Sequence, residues 1–275
     1  IKPFGGVIQG NDGILYGTTW DGSSLGGRGI IYSCSTSGNY GKLYDLGSNN
    51  NPGGALLEVS NGVLYGTSVV GGLYGTIENH GSIFSANTLG NNLSMLYSFS
   101  GSANHQFLSA LPKDGRQPNG NLIKASNGIL YGTTIYDGLD LPNSGGGIIF
   151  SYSTSGTYQI LKRFSGGTSD GRYPAGGLLE ANNGKLYGTT AEGGLYNSGT
   201  IFSYDLFGNY NVLYNFGGTT NDGKNPYGSL YEGLDGLLYG MTVFGGSYSA
   251  GTIFSYNITT SAVTIVHDFE GSLLG

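Results

Sequence analysis

Three sets of side chains have types and spacings that could do chemistry. Glu180 and Glu232 stand at equivalent places after short apolar runs, "GGLLE" and "GSLYE", and Gln9, Glu58 and Lys124 fill the same slot elsewhere. Two carboxylates roughly 5–10 Å apart are what glycoside hydrolysis requires. A slot that recurs in every copy of a pattern is explained first by the scaffold, however. Each of these is also followed by a minimal Asn-Gly or Asp-Gly turn, too short to shape a substrate cleft.

The second set is aromatic. Trp20, Tyr74, Tyr136, Tyr196, Phe244 and Tyr248 lie in Gly-rich connections beside Asp21, Asp137 and Glu192. Ring faces stack on the apolar faces of sugars while short acids take their hydroxyls. The same mixture suits a protein partner, and rings that fold back over strand ends are the plain alternative. The third set comes from "DGRQP", "DGRYP" and "DGKNP", which place Arg116, Arg172 and Lys224 between an Asp-Gly turn and a proline. They read as an anion-binding arc or as solvated turn charges. Calcium at Asp114, Asp170 and Asp222 lacks a second acidic ligand at loop spacing. His80, His105 and His267 are scattered, and there is no nucleophile elbow, P-loop or dinucleotide fingerprint. Neither a metal nor a cofactor is expected, and no catalytic constellation is convincing.

These residues sit within repeats. Leu-Tyr-Gly recurs with its tyrosine at 16, 65, 131, 187 and 239, so five units of about fifty residues are expected. Their approximate bounds are 6–53, 54–120, 121–176, 177–228 and 229–275. In the fourth, Leu178–Leu179 forms a strand a closed by an Asn-Gly hairpin turn. "KLYGTT" alternates as strand b, "GTIFSYD" as strand c, and "YNVLYNFGG" as strand d with Val212, Tyr214 and Phe216 on one face. No segment has helical periodicity. The expected fold is all-β, a single five-bladed β-propeller of four-stranded antiparallel blades, with an open β-solenoid as the alternative. Closure is favoured because only a ring leaves no terminal blade uncovered. The opening "IKPFGG" reads as the end of a strand d and the closing "GSLLG" as the start of another strand a.

The a–b and c–d turns are minimal, whereas the b–c and d–a connections are long and variable. They emerge on one face, and function usually sits on such loops. The repeated tyrosine is expected to pack between blades, and the glycine after it to let the adjacent backbone approach.

Composition narrows the function. With 38% apolar and 10% charged residues the chain is folded, and its 54 glycines fit turns and bulges. A net charge of −6 excludes an extended phosphate-binding surface and hence nucleic acid. No apolar run approaches the roughly 20 residues that span a bilayer, so no membrane insertion is expected. The lone Cys34 offers no disulfide framework and reads as a small buried strand residue.

The string "LYGTTAEGG" followed by "GTIFSY", from Leu186 to Tyr204, resembles the GloVer tandem repeat of exported bacterial proteins, and all five units share it. The resemblance implies a secreted or surface-attached bacterial propeller-like protein and implies no activity; a leader, removed or absent from this sequence, is expected. Departures are Met241 in "YGMT", the long inserts after Phe99 and Tyr136, and the lack of an anchor. The expectation is a monomeric, non-catalytic module that recognises a glycan or an extracellular protein through its long loops. A polysaccharide hydrolase or lyase and a structural spacer are the alternatives.

Overall fold

A computed structural model describes residues 2–22, 29–47, 51–70, 80–100, 114–138 and 146–271. Tyr74, His105 and the closing "GSLLG" from residue 272 lie outside them. The described residues form strands and turns with no helix, and so none that is long and apolar enough to cross a membrane. Five antiparallel sheets, each holding strands in the order a-b-c-d, follow one another; the second and fifth carry an extra short strand, Asn51–Pro52 and Gly223–Pro226, and Gly171–Arg172 with Glu192–Gly193 forms a separate two-stranded ladder. In the fourth blade the strands are Leu179–Glu180, Leu186–Thr190, Thr200–Tyr204 and Tyr210–Asn215. In the fifth they are Tyr231–Glu232, Leu237–Gly245, Thr252–Asn257 and Val263–Asp268. The first is Lys2–Gln9, Leu15–Asp21, Ile30–Cys34 and Tyr40–Asp45. The architecture is therefore the expected all-β, propeller-like array of five four-stranded blades.

Alternation along each strand builds the joints between blades. Tyr187 of strand b, Ile201 of strand c and Phe216 after strand d form one face of the fourth blade. They pack on Leu230, Leu238, Phe254 and Tyr256 of the fifth. Leu186, Phe202 and Tyr204 cover its other face, against Tyr131, Ile149 and Phe164 of the third. The first and second blades, and the second and third, meet in the same way. Each fully buried large apolar side chain contributes about 1.5–3 kcal/mol, so the joints, rather than isolated blades, hold the array together.

Polar groups fix the register of these joints. Glu180 accepts the Ser126 backbone N–H at 2.8 Å and its hydroxyl at 2.6 Å, and Glu232 accepts the Asn182 N–H at 3.0 Å. Glu58 accepts from Asn11 at 2.8 Å, whereas Lys124 in the same slot donates to the Val59 carbonyl at 3.0 Å. Glu58, Glu180 and Glu232 thus tie their blades to the a–b turn of the preceding blade, Lys124 reaches the preceding strand a, and Gln9 donates within its own turn to the Gly13 carbonyl at 3.2 Å.

Several expectations are corrected. "IKPFGG" is not the end of a strand d: Lys2–Gln9 is one strand pairing with Leu15–Asp21, with Lys2 opposite Asp21 and Pro3 opposite Thr19 as Lys224 is opposite Phe244 and Pro226 opposite Thr242. The glycine after the repeated tyrosine serves its own blade, because a Cβ on Gly188 would stand 2.5 Å from the Phe202 ring of the neighbouring strand. Close approach between blades belongs instead to the glycines entering strand a. A Cβ on Gly176 would lie 2.2 Å from the Gly228 carbonyl oxygen, and one on Gly120 2.7 Å from that of Gly176. Backbones meeting this tightly place strand a innermost. Strand d does not keep one face, since Ile201 pairs with Tyr214 but Phe202 with Val212. The same register shift recurs in all five c–d pairs, and such a bulge adds twist to the outer edge.

Among the described residues the apolar packing runs from blade to blade along the chain. Each of the four apolar clusters joins consecutive blades, and none joins the fifth to the first. Val7 is 53% exposed where its counterpart Leu56 is 3% exposed, and Phe269 is 37% exposed where Phe216 is fully buried. Cys34 also lies on this open first face and is half-buried rather than buried.

Candidate functional site

The second threonine of each "YGTT" or "YGMT" starts the site. Thr134 donates its hydroxyl to the Tyr136 carbonyl at 2.7 Å, Thr190 to that of Glu192 at 3.0 Å, and Thr242 to that of Phe244 at 2.9 Å. Thr19 does the same for Asp21 at 2.6 Å. A short hydroxyl bonded two residues ahead bends the chain locally, so one candidate residue per blade is held at the start of the b–c connection. The d–a connection runs antiparallel beside it. Arg116 bridges Tyr136, Arg172 pairs with Glu192 and Lys224 with Phe244, and Lys2 lies 3.6 Å from Asp21. The two sets of loop residues separated in the sequence are therefore one ladder.

Across the third and fourth blades this ladder becomes a strip. The Arg116 guanidinium lies 4.7 Å from the centre of the Tyr136 ring, and Tyr136 meets Tyr173 edge to face at 5.3 Å. Arg172 lies 4.5 Å over Tyr173 and makes a charged hydrogen bond to Glu192. That bond outweighs burial and raises the guanidinium above its ordinary value, so Arg172 remains a cation at every accessible pH. It is a paired side chain, not a solvated turn charge. Strip members are half-buried, with one side against the blades and one toward solvent.

Tyr173 was not singled out by the sequence. It is the variable residue between the basic position and proline, as are Gln117 and Asn225. All three adopt left-handed backbone, with φ of 60°, 57° and 54°. Such angles are uncommon for residues other than glycine. They aim each N–H at the preceding blade: Tyr173 donates to Gly146 at 2.6 Å, Gln117 to His80 at 2.8 Å and Asn225 to Ser198 at 2.7 Å. The only sequence signal was the fixed spacing to proline.

Tyr196 and Tyr248 crown two loops of the same backbone. Gly194 and Gly246 donate to the carbonyls of Asp170 and Asp222 at 2.8 and 2.9 Å, and Asn197 and Ser249 both have positive φ. The tyrosines are exposed, and Tyr196 rests against Gly217 and Gly218. Phe244 is exposed as well, Trp20 packs 4.9 Å from Phe4, and Asp137 is buried, its carbonyl accepting from Arg163 at 3.0 Å. The sequence readings thus converge for Tyr136, Arg116, Arg172 and Glu192. Asp137 faces inward, and Trp20 and Asp21 sit apart on the first blade.

Asp114, Asp170 and Asp222 are buried and serve as latches. Asp170 accepts from the Ser165 N–H, Lys162 and Tyr210 at 2.8, 2.8 and 2.7 Å. Burial pushes its carboxyl up, but these donors together outweigh burial and hold it below the usual range. Asp222 accepts from Tyr214 at 2.9 Å, and Tyr97 donates to Asp114. Among the described residues no group of three or more acidic, histidine or cysteine side chains could hold a metal. A shallow cavity of about 380 Å³ lies on the opposite, short-turn face, lined by Asn182, Asn183, Glu232 and Asp235.

The fold has relatives among solved structures. A chain of the nidogen/laminin complex matches with a TM-score of 0.60 at 15% identity, covering 98% of this chain and 80% of that one. A protein of unknown function from Dyadobacter fermentans matches at 0.59 and 11%, covering 98% and 84%. The extracellular domain of a putative one-component system from B. thetaiotaomicron matches at 0.58 and 11%, covering 98% of this chain and 28% of that one. At these identities the likeness concerns the fold alone. No curated protein matches. The profile of the Gloeobacter/Verrucomicrobia repeat matches residues 1–168 and 102–274, in accord with the Leu-Tyr-Gly-Thr resemblance. With five copies of one blade and that profile spanning nearly all of it, the chain belongs to the Gloeobacter/Verrucomicrobia repeat family.

Proposed function

We propose that this protein is a secreted or cell-surface, non-catalytic binding module that takes a glycan on its long-loop face. The observation that carries this reading is the strip Arg116–Tyr136–Tyr173–Arg172–Glu192. Rings braced by cations offer a rigid platform for the apolar face of a sugar, with guanidinium and carboxylate groups beside them for its hydroxyls. Tyr196 and Tyr248 add exposed rings at the rim. Against an enzyme reading, Glu180 and Glu232 are engaged in holding turns of the neighbouring blades. The extracellular setting rests on the resemblance to exported bacterial repeats.

The test is binding to a panel of immobilised glycans, followed by titration of any hit. Tyr173→Ala and Tyr196→Ala are expected to weaken it at least tenfold without changing the melting temperature much. Undiminished binding in both variants would refute the strip as the site. Release of reducing ends from a polysaccharide, lost in Glu180→Gln, would favour the hydrolase instead.

A further inference from the structure

We propose that the strip on the loop face takes an uncharged polysaccharide, and that Glu192, by holding Arg172, excludes acidic ones. This rests on the glycan reading and names the class of chain within it. Each cation of the ladder is met across it. Arg172 stands opposite Glu192 and bonds to it through Nη2, and Lys2 stands opposite Asp21 with 3.6 Å between its Nζ and the carboxylate. Arg116 and Lys224 meet rings instead: Arg116 lies 4.7 Å from the Tyr136 centre, and Lys224 pairs with Phe244. A cation on a ring keeps its charge, but a buried carboxylate stands two residues before each, Asp114 before Arg116 and Asp222 before Lys224. Of the neighbouring cations, Lys162 is bound to Asp170 at 2.8 Å, and Arg163 donates to the Asp137 carbonyl at 3.0 Å.

Arg172 is fixed where it stands. A Cβ on Gly146 would lie 1.8 Å from its Cγ and one on Gly166 3.3 Å from its Cδ, so two glycines make the bed for its stem. The Tyr173 ring lies 4.5 Å from the guanidinium, and the Nε is buried. A carboxylate or sulfate that reaches this guanidinium therefore lies beside the Glu192 carboxylate, and like charges set together in a contact are costly. Hydroxyls carry no such penalty. They accept from the guanidinium and donate to the carboxylate while the pair stays intact.

The charge of the whole chain acts in the same direction. At −6 its field opposes the approach of a polyanion before any contact forms. The faces of Tyr136 and Tyr173 gain from stacking on a sugar ring whether or not that sugar is charged. Charge therefore decides between chains of one backbone, and it decides for the neutral one.

The experiment titrates the 275-residue chain with dextran, laminarin and hydroxyethyl cellulose, each beside a carboxymethylated polymer of the same backbone. The neutral polymer is expected to bind at least about tenfold more tightly than its carboxymethylated form at roughly 0.01 M salt, where charges act over long range. Its own affinity changes less than about twofold on going to about 0.15 M salt. Glu192→Gln lowers the preference for the neutral form at least about fivefold, because one repelling charge at contact distance is removed. Asp205→Asn removes a carboxylate from the opposite, short-turn face and leaves the preference as it was; Asn87 and Asn257 hold that position in other blades, so the fold accepts it. Circular dichroism checks both variants. A carboxymethylated polymer bound as tightly as its parent, a preference unchanged in Glu192→Gln, or an equal shift in both variants would each overturn the proposal. Acidic binding that is lost in Tyr173→Ala would overturn the charge filter and leave the strip as the site. A chain that binds none of these polymers would overturn the glycan reading of the strip and this proposal with it.

Discussion

Gly176→Ala tests the innermost contact directly. The added methyl would sit 2.2 Å from the Gly228 carbonyl oxygen and 2.8 Å from the Ser229 nitrogen, both backbone atoms that cannot rotate away. Ordinary contact needs about 3.5 Å or more, so the fourth and fifth blades must separate by roughly an ångström. That movement loosens the Leu230, Leu238 and Phe254 packing along the whole joint. Overpacking of this kind costs about 1–3 kcal/mol, and the adjoining loss of cohesion places Gly176→Ala near the upper end. For a chain of this size that corresponds to a fall in melting temperature of about 3–5 °C. Gly6→Ala is the control: its methyl would be 3.5 Å from the Ala55 side chain, an ordinary contact. It should leave the midpoint unchanged or raise it slightly, because alanine restricts the unfolded chain. Thermal unfolding followed by circular dichroism reads both. Equal midpoints for the two variants would refute strand-a glycine packing as the closest contact between blades.

Glu180→Gln should lower stability by about 0.5–1 kcal/mol, because a neutral amide is a weaker acceptor for the Ser126 N–H and hydroxyl than a carboxylate. Denaturant titration checks this, and loop-face binding should be unaffected. Asp170 contributes stability that is present above the unfolded carboxyl value, 3.8, and is lost as pH falls through its lower folded value. Lys162→Tyr, which copies Tyr97 and Tyr214 of other blades, removes the cation and should move the acid-unfolding midpoint to higher pH; an unmoved midpoint would mean that Lys162 does not set the Asp170 titration.

The blades were legible because their strands are short and strictly alternating. Leu186, Tyr187, Phe202 and Ile201 fall on the faces their order implies, and the Asn-Gly turns punctuate the hairpins. What escaped depended on distances between strands and blades. Whether Gly188 relieves a neighbouring backbone or a ring is decided by its pairing with Phe202, which sequence spacing does not encode. The shift within each c–d pair has no glycine or proline to mark it. Tyr173 was hidden because its importance comes from a left-handed backbone and from Arg172 and Tyr136 packed against it. The exposure of Val7 and Phe269 was equally hidden, because both look like any other member of the repeat.

Tyr196 and Tyr248 stand on adjacent blades, so their separation is set by the step from one sheet to the next. A polymer with a matching period could engage both at once, the second contact forming at high effective concentration after the first. Such a surface discriminates chain from monomer through avidity, and would favour long, regular ligands over short ones of identical composition.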